Sequence, residues 1–149
     1  MTRIRVATRD DVPLLGKLFD EYRQFYKLPT DIEKAGSYLR ERLAAGDSVV
    51  LVAEGEAGRL TGFTQLYPTW CSLLAGPVYV LYDLYVAPCA RQQGVGRALL
   101  EAAAERGRRD GKLRMTLSTA RTNLTAQSLY EALGWVRDDE FHVYNFSIA

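Results

Sequence analysis

The sequence predicts an α+β domain built around one mostly antiparallel sheet, and three observations predict it. Short apolar or alternating runs at residues 3–6, 49–53, 60–67, 78–86, 115–119, 135–137 and 142–148 read as strands. Between them lie four segments with apolar residues at helical spacing, most with a capping residue in front and glycine behind. In the middle of the chain, 78–119 runs strand, helix, strand, and such a crossover requires a parallel pair in an otherwise antiparallel sheet. The predicted order is β-α-α-β-β-β-α-β-α-β-β, with six to seven strands and about four helices around a single core, one domain over residues 1–149.

The first strand is the alternation at 3–6. Thr8 with Asp11 three residues later, and Pro13 soon after, spell a helix start, and Leu15, Leu18, Phe19, Tyr22, Phe25 and Tyr26 then form one aromatic-rich stripe that ends before Pro29. Asp31 caps a second helix whose Ile32, Ala35, Leu39 and Leu43 share a face, and Gly46 stops it. The run 49–53 is too short for a helix and reads as a buried strand, paired as a hairpin with 60–67 through the turn at 55–58. Residues 68–77, with Trp70, Cys71 and two leucines between prolines, read as an apolar loop that lids a pocket or meets another subunit. A third helix begins at Gly94, with Val95, Ala98, Leu99, Ala102 and Ala103 on one face and charges on the other; Gly111 ends it. After the strand at 115–119, Thr122 or Asn123 caps a short helix closed by Gly134, and the chain finishes in two strand-like segments.

Composition excludes several classes of function. The 19 Lys and Arg nearly cancel the 18 Asp and Glu, so no basic field exists to hold a nucleic-acid backbone. The two cysteines and one histidine fall in no metal-ligand spacing, which implies no metal. The charged N-terminus is no signal peptide and no apolar run approaches a membrane span, so cytoplasmic residence without a membrane partner is expected.

The chemistry concentrates where the strand 78–86 passes through Pro88 into Arg91-Gln92-Gln93-Gly94-Val95-Gly96 and a helix. A glycine-containing turn feeding a helix start aims backbone N–H groups and a positive dipole end at one spot, which suits a phosphate. A dinucleotide fingerprint would need a small residue where Leu99 stands, and a P-loop would need a Lys-Ser/Thr pair; both fail. What remains, with Asp83-Leu84-Tyr85-Val86-Ala87-Pro88 in front, resembles the acyl-CoA signature of the GNAT superfamily of N-acetyltransferases. Asn123-Leu124-Thr125-Ala126-Gln127-Ser128-Leu129-Tyr130, running on to Gly134-Trp135, is similar to a second segment of that family, and residues 4–11 resemble its opening strand and cap.

The resemblance implies a GNAT-like fold binding acetyl-CoA. Backbone amides of Gln92, Gln93, Gly94, Val95, Gly96 and Arg97, in the turn opened by Arg91, would wrap the diphosphate; Leu84, Tyr85 and Val86 would contact the pantetheine where two parallel strands splay; Asn123 and Tyr130 would touch the cofactor. It implies direct attack of a neutral primary amine on the thioester, with an oxyanion held by a strand N–H near Leu84, Tyr130 protonating the departing thiolate, and Asp83 taking the amine's proton through water. Some relatives carry the base one position earlier, where this chain has Tyr82. Asp83 is equally readable as a structural carboxylate, and Cys89 as a surface thiol. The abundance of aromatics, Tyr22, Phe25, Tyr26, Tyr67, Trp70, Tyr79, Tyr82 and Tyr85, is readable either as core or as a cation–π cage for an amine, with Glu21, Glu33 or Asp83 adding charge. Similarity to the histone and polyamine branch implies a small amine, polyamine or lysine-like acceptor. The competing readings are a CoA-sensing or scaffold domain without transfer activity and an enzyme for a longer acyl group. A homodimer through residues 70–77 or 141–148 is expected, since apolar patches and uncovered strand edges invite partners.

Overall fold

The computed structural model describes residues 1–149 as two compact units, Met1–Leu117 and Ser118–Ala149. The first holds a five-stranded sheet of order β1-β2-β3-β4-β5, made of β1 (Arg3–Val6), β2 (Val49–Glu54), β3 (Leu60–Cys71), β4 (Gly76–Val86) and β5 (Met115–Thr116). Neighbours run antiparallel except β4 and β5, the parallel pair that the crossover through α3 (Val95–Arg109) demands.

The helix signals lie where the sequence puts them. Before α1 (Val12–Phe25) the Thr8 amide donates to Asp11 Oδ2 at 2.7 Å and Pro13 sits in the first turn. Asp31 caps α2 (Ile32–Ala45) by accepting from the Lys34 amide at 3.0 Å, and Gly46, at φ 63°, ends it in the left-handed conformation. The connection is drawn in by Asp20, whose buried carboxylate accepts from Thr30 Oγ1 at 2.6 Å and the Asp31 amide at 2.7 Å.

Two layers cover the sheet because adjacent residues of a strand face opposite sides. On one face Leu15, Leu18 and Phe19 of α1 and Ala35 and Leu39 of α2 pack with Val50, Val52, Phe63 and Tyr85, and Phe19 meets Phe63 edge-on at 5.9 Å. On the other, α3 lies over Gly62: a Cβ there would stand 2.8 Å from the Tyr85 carbonyl, 3.2 Å from Leu99 and 3.3 Å from Val95. The missing side chain is what lets the start of α3 come down onto β3.

Three expectations need correction. Residues 68–77 are not an apolar loop, since β3 and β4 continue as a hairpin through Cys71 and Gly76, with Pro68 opposite Tyr79 and Pro77 opposite Trp70. β2 pairs only as far as Leu66, so Pro68 lies where β3 has a neighbour on one side, and its missing donor breaks no ladder. The strand at 115–119 shortens to Met115–Thr116. Residues 135–137 and 142–148 form no strand, and Phe141, Val143, Phe146 and Ile148 are exposed; alternation makes a segment strand-competent, but only a paired neighbour makes it a strand. The sheet therefore has five strands where six to seven were expected.

The second unit contains α4 (Leu124–Ala132), capped by Asn123 Oδ1, which accepts from the Ala126 amide at 3.2 Å. No helix is long and apolar enough to cross a membrane.

Candidate active site

β4 carries the centre of the site, and a β-bulge shapes it. Gln65 stands opposite Asp83 and Leu66 opposite Leu81, so Tyr82 is the extra residue. The bulge turns Tyr82 out, 67% exposed, and Asp83 in, 4% exposed. Asp83 is then held on three sides. Its carbonyl accepts from Thr64 Oγ1 at 2.7 Å, its Oδ2 accepts from Gln65 Nε2 at 2.8 Å, and the Tyr22 hydroxyl faces its carboxylate. That hydroxyl also lies 3.3 Å from the Tyr82 carbonyl, and its single proton serves one acceptor at a time. Gln65 is itself engaged by Ser48 Oγ at 2.8 Å.

Burial pushes the Asp83 carboxyl above the usual carboxylate range, against the hydrogen bonds from Gln65 and Tyr22 that pull it down. The surrounding tyrosines stay neutral: burial and then the Asp83 charge raise Tyr22, and burial, the Tyr38 hydrogen bond and Asp83 raise Tyr67. Around Asp83 the aromatic side chains connect. The Tyr38 and Tyr67 hydroxyls are 2.6 Å apart, Tyr67 meets Tyr82 edge-on at 5.6 Å, and Tyr22 meets Tyr26 at 5.1 Å. Of the helix-one stripe, Leu15, Leu18 and Phe19 are core, whereas Phe25 and Tyr26 are about half exposed. The aromatic set thus divides into a buried part and an accessible rim.

Past Val80, paired with Thr116, β4 has no parallel neighbour, so Leu84, Tyr85 and Val86 have a partner on the β3 side alone. Beyond Val86 the chain turns through the 3₁₀ segment Pro88–Ala90 into α3. Arg91 braces this turn: its Nε donates to the Val86 carbonyl at 2.9 Å and its guanidinium lies 5.6 Å from the Tyr85 ring centre. Gln93 Nε2 donates to the Cys89 carbonyl at 3.2 Å, and the Cys89 thiol is exposed. Gln92 at φ 60° and Gly94 at φ 79° take the left-handed conformation, which turns successive amides toward one side of the backbone. The first bond closing α3 is Ala98 N to the Gly94 carbonyl at 3.0 Å, and the amides of Gln92, Gln93, Gly94, Val95, Gly96 and Arg97 donate to no acceptor within the chain. No acidic side chain occupies the first turn of α3. A non-glycine residue held at positive φ beside six undonated amides is a turn shaped to receive an anion. The Arg97 side chain is committed to Glu101 Oε1 at 2.9 Å.

Asn123 and Tyr130 belong to the second unit. Asn123 uses its side-chain oxygen as the α4 cap, and Tyr130 is partly buried with its ring 6.2 Å from that of Trp135. No group of three His, Cys, Asp or Glu residues is gathered as a metal site. Gln65, Ser48 and Tyr38 are the site residues that sequence reasoning missed. The available signal was the pair Thr64-Gln65, polar in the middle of an apolar strand, and both side chains are fully buried.

A bulged strand, open along one edge and running into an amide-lined turn at a helix start, defines a class of α+β domain with an anion-receptive turn beside an unpaired strand edge. The chain belongs to the acetyltransferase (GNAT) family, whose model matches residues 15–135, and it is an N-acetyltransferase; acetyl-CoA is the acyl donor of that family. It is 41% identical over 145 residues, 97% of each chain, to the uncharacterized N-acetyltransferase YhfO of Bacillus subtilis (strain 168). The crystal structure of a probable acetyltransferase superposes with a TM-score of 0.92 at 39% identity, covering 99% of this chain and 98% of that one. A thialysine N-epsilon-acetyltransferase of Caenorhabditis elegans is 27% identical over 136 residues, 89% of this chain and 82% of its own.

Proposed function

We propose that this N-acetyltransferase moves the acetyl group of acetyl-CoA to a primary amine of a small cationic acceptor, a polyamine or lysine-like amine, by direct attack in a ternary complex. The observation that carries the reading is a buried carboxylate, Asp83, beneath an aromatic rim in which Tyr26 and Tyr82 are exposed and Tyr22 and Tyr67 half-buried. An alkylammonium is attracted to aromatic faces. With a pKa near 10.4 it must also lose a proton before attack, which costs about 4–5 kcal/mol at pH 7. Asp83 receives that proton, burial having raised its carboxyl above the ordinary carboxylate range and so made it a better proton acceptor than an exposed aspartate. The undonated amides of residues 92–97 bind the diphosphate, and the open edge of β4 at Leu84, Tyr85 and Val86 binds the pantetheine arm and supplies the oxyanion N–H. Asn123 contacts the cofactor and Tyr130 protonates the CoA thiolate. One domain over residues 1–149 is part of this reading, the family match running through the boundary between the units. So is cytoplasmic residence, with Cys71 and Cys89 unbridged.

The test is a thiol-release screen of polyamines, lysine derivatives and peptides, aminoglycosides and weakly basic arylamines with acetyl-CoA. Cationic primary alkylamines should be the best acceptors, and Asp83→Asn should lower kcat/KM for them by about 100-fold at pH 7. A best acceptor that carries no charge, or an Asp83→Asn enzyme of full activity, would sink the reading.

The same chain is read as a homodimer. Trp70, Leu73 and Leu74 at the tip of the β3–β4 hairpin and Phe141, Val143, Phe146 and Ile148 near the C-terminus are all exposed, and clustered exposed apolar side chains are candidate partner surfaces. Light scattering at assay concentration should give twice the chain mass; the chain mass itself would remove the proposal.

A further inference from the structure

We infer that Gln65 is a positioning residue for Asp83, itself oriented by Ser48, and that this two-bond relay fixes the Asp83 carboxylate as a proton acceptor; the inference rests on the reading of Asp83 as the base. Gln65 sits wholly buried on β3, opposite Asp83, with its two amide ends engaged by different partners. Nε2 lies 2.8 Å from Asp83 Oδ2, and Oε1 lies 2.8 Å from Ser48 Oγ, just before β2. The direction of the relay follows from what each group can do. An ionised carboxylate only accepts, so the amide NH₂ must face Asp83, which leaves the amide carbonyl toward Ser48 and commits the Ser48 proton to it. A hydrogen bond into an amide oxygen strengthens the N–H donors at the other end, so Ser48 reinforces the bond that Asp83 receives.

The relay binds one oxygen of the carboxylate, Oδ2, and leaves Oδ1 outside its reach. An NH₂ cannot accept a hydrogen bond, so protonation at Oδ2 would cost this contact; Gln65 thereby favours the charged form and directs the incoming proton to the other oxygen. Few groups compete with it. Tyr22 comes from α1, Tyr67 from β3 and Tyr82 from the same strand, while Tyr38 and Arg42 of α2 engage Tyr67 and each other; no Lys, Arg or His supports the charge of Asp83. The protonation of Asp83 is therefore set by burial on one side and the Gln65 and Tyr22 bonds on the other. Thr64 adds the backbone part of the same arrangement by tying the Asp83 carbonyl at the bulge.

The experiment is the pH profile of kcat/KM for the amine at saturating acetyl-CoA, for the wild type, Gln65→Met, Ser48→Ala and Asp83→Asn. Gln65→Met keeps the side-chain volume and removes the donor. It should move the midpoint of the acidic limb to higher pH by about one unit and lower kcat near pH 7 roughly tenfold, with the KM for acetyl-CoA unchanged. Ser48→Ala should shift the midpoint the same way by less. Loss of activity in both variants with the midpoint unmoved would overturn the relay and leave Gln65 a structural residue. If Gln65→Met does not fold by circular dichroism, the Ser48→Ala midpoint decides alone. Asp83→Asn separates the two claims. Disappearance of the acidic limb there, without a shift in the relay variants, overturns the relay only; persistence of the limb overturns the base and the relay together.

Discussion

Tyr130→Phe is expected to lower kcat about 100-fold while leaving the KM for acetyl-CoA within about twofold, the size that removal of one general acid usually costs. The ring stays, so its packing at 6.2 Å from Trp135 and the α4 backbone bonds from Leu133 and Trp135 to the Tyr130 carbonyl are kept. What is lost, on the proposed reading, is a proton donor for the departing CoA thiolate. Loss of a hydroxyl hydrogen bond costs about 1 kcal/mol of stability, too little to unfold the domain and mimic a catalytic defect. Steady-state kinetics beside a thermal melt check this. An enzyme whose kcat stays within threefold of the wild type would show that the thiolate leaves without help from Tyr130.

The second large effect falls on binding. Gly94→Asp should raise the Kd for acetyl-CoA roughly 100-fold. Nothing lies within 4 Å of a Cβ at this position, so the substitution meets no clash in the free protein. The backbone is at φ 79°, a left-handed conformation that aspartate and asparagine tolerate better than most residues. The penalty is therefore electrostatic: a carboxylate about 5 Å from a phosphate charge repels it by about 3 kcal/mol at an effective dielectric of 20. Gly94→Asn has nearly the same shape and backbone tolerance without the charge, and should bind within about fivefold of the wild type. Added salt should narrow the gap between the two variants. Equal affinities for Asp and Asn, measured by calorimetry, would mean that the diphosphate does not lie on these amides.

The proposed binding half of this site was the more legible one because it is local. Pro88, Gly94 and Gly96 announce a turn before a helix; four of the six undonated amides, at residues 94–97, follow from the way any helix begins without a side-chain cap, and the turn itself adds those of Gln92 and Gln93. Asp83 could likewise be picked out as a strand acid, readable as catalytic or as structural; the structure adds that it is buried and tied into a hydrogen-bond set, and the choice between the two readings rests with the Asp83→Asn experiment. What could not be read was the set itself. Gln65 lies 18 residues before Asp83 and Ser48 17 before Gln65, and they meet only because β2, β3 and β4 pair in one particular register. The hairpin at 60–86 was hidden for a related reason, its prolines reading as loop until the one-sided pairing of that part of β3 is known.

By itself the sequence determined the family, the helix limits and the amide turn, since each depends on residues near one another along the chain: a cap, a glycine at positive φ, a proline in a first turn. Tertiary structure decided which aromatics are core and which are rim, and how Asp83 is held. The bulge at Tyr82 is the physical reason. One extra residue on β4 moves every side chain beyond it to the other face of the sheet, and no local pattern fixes where a strand takes that step.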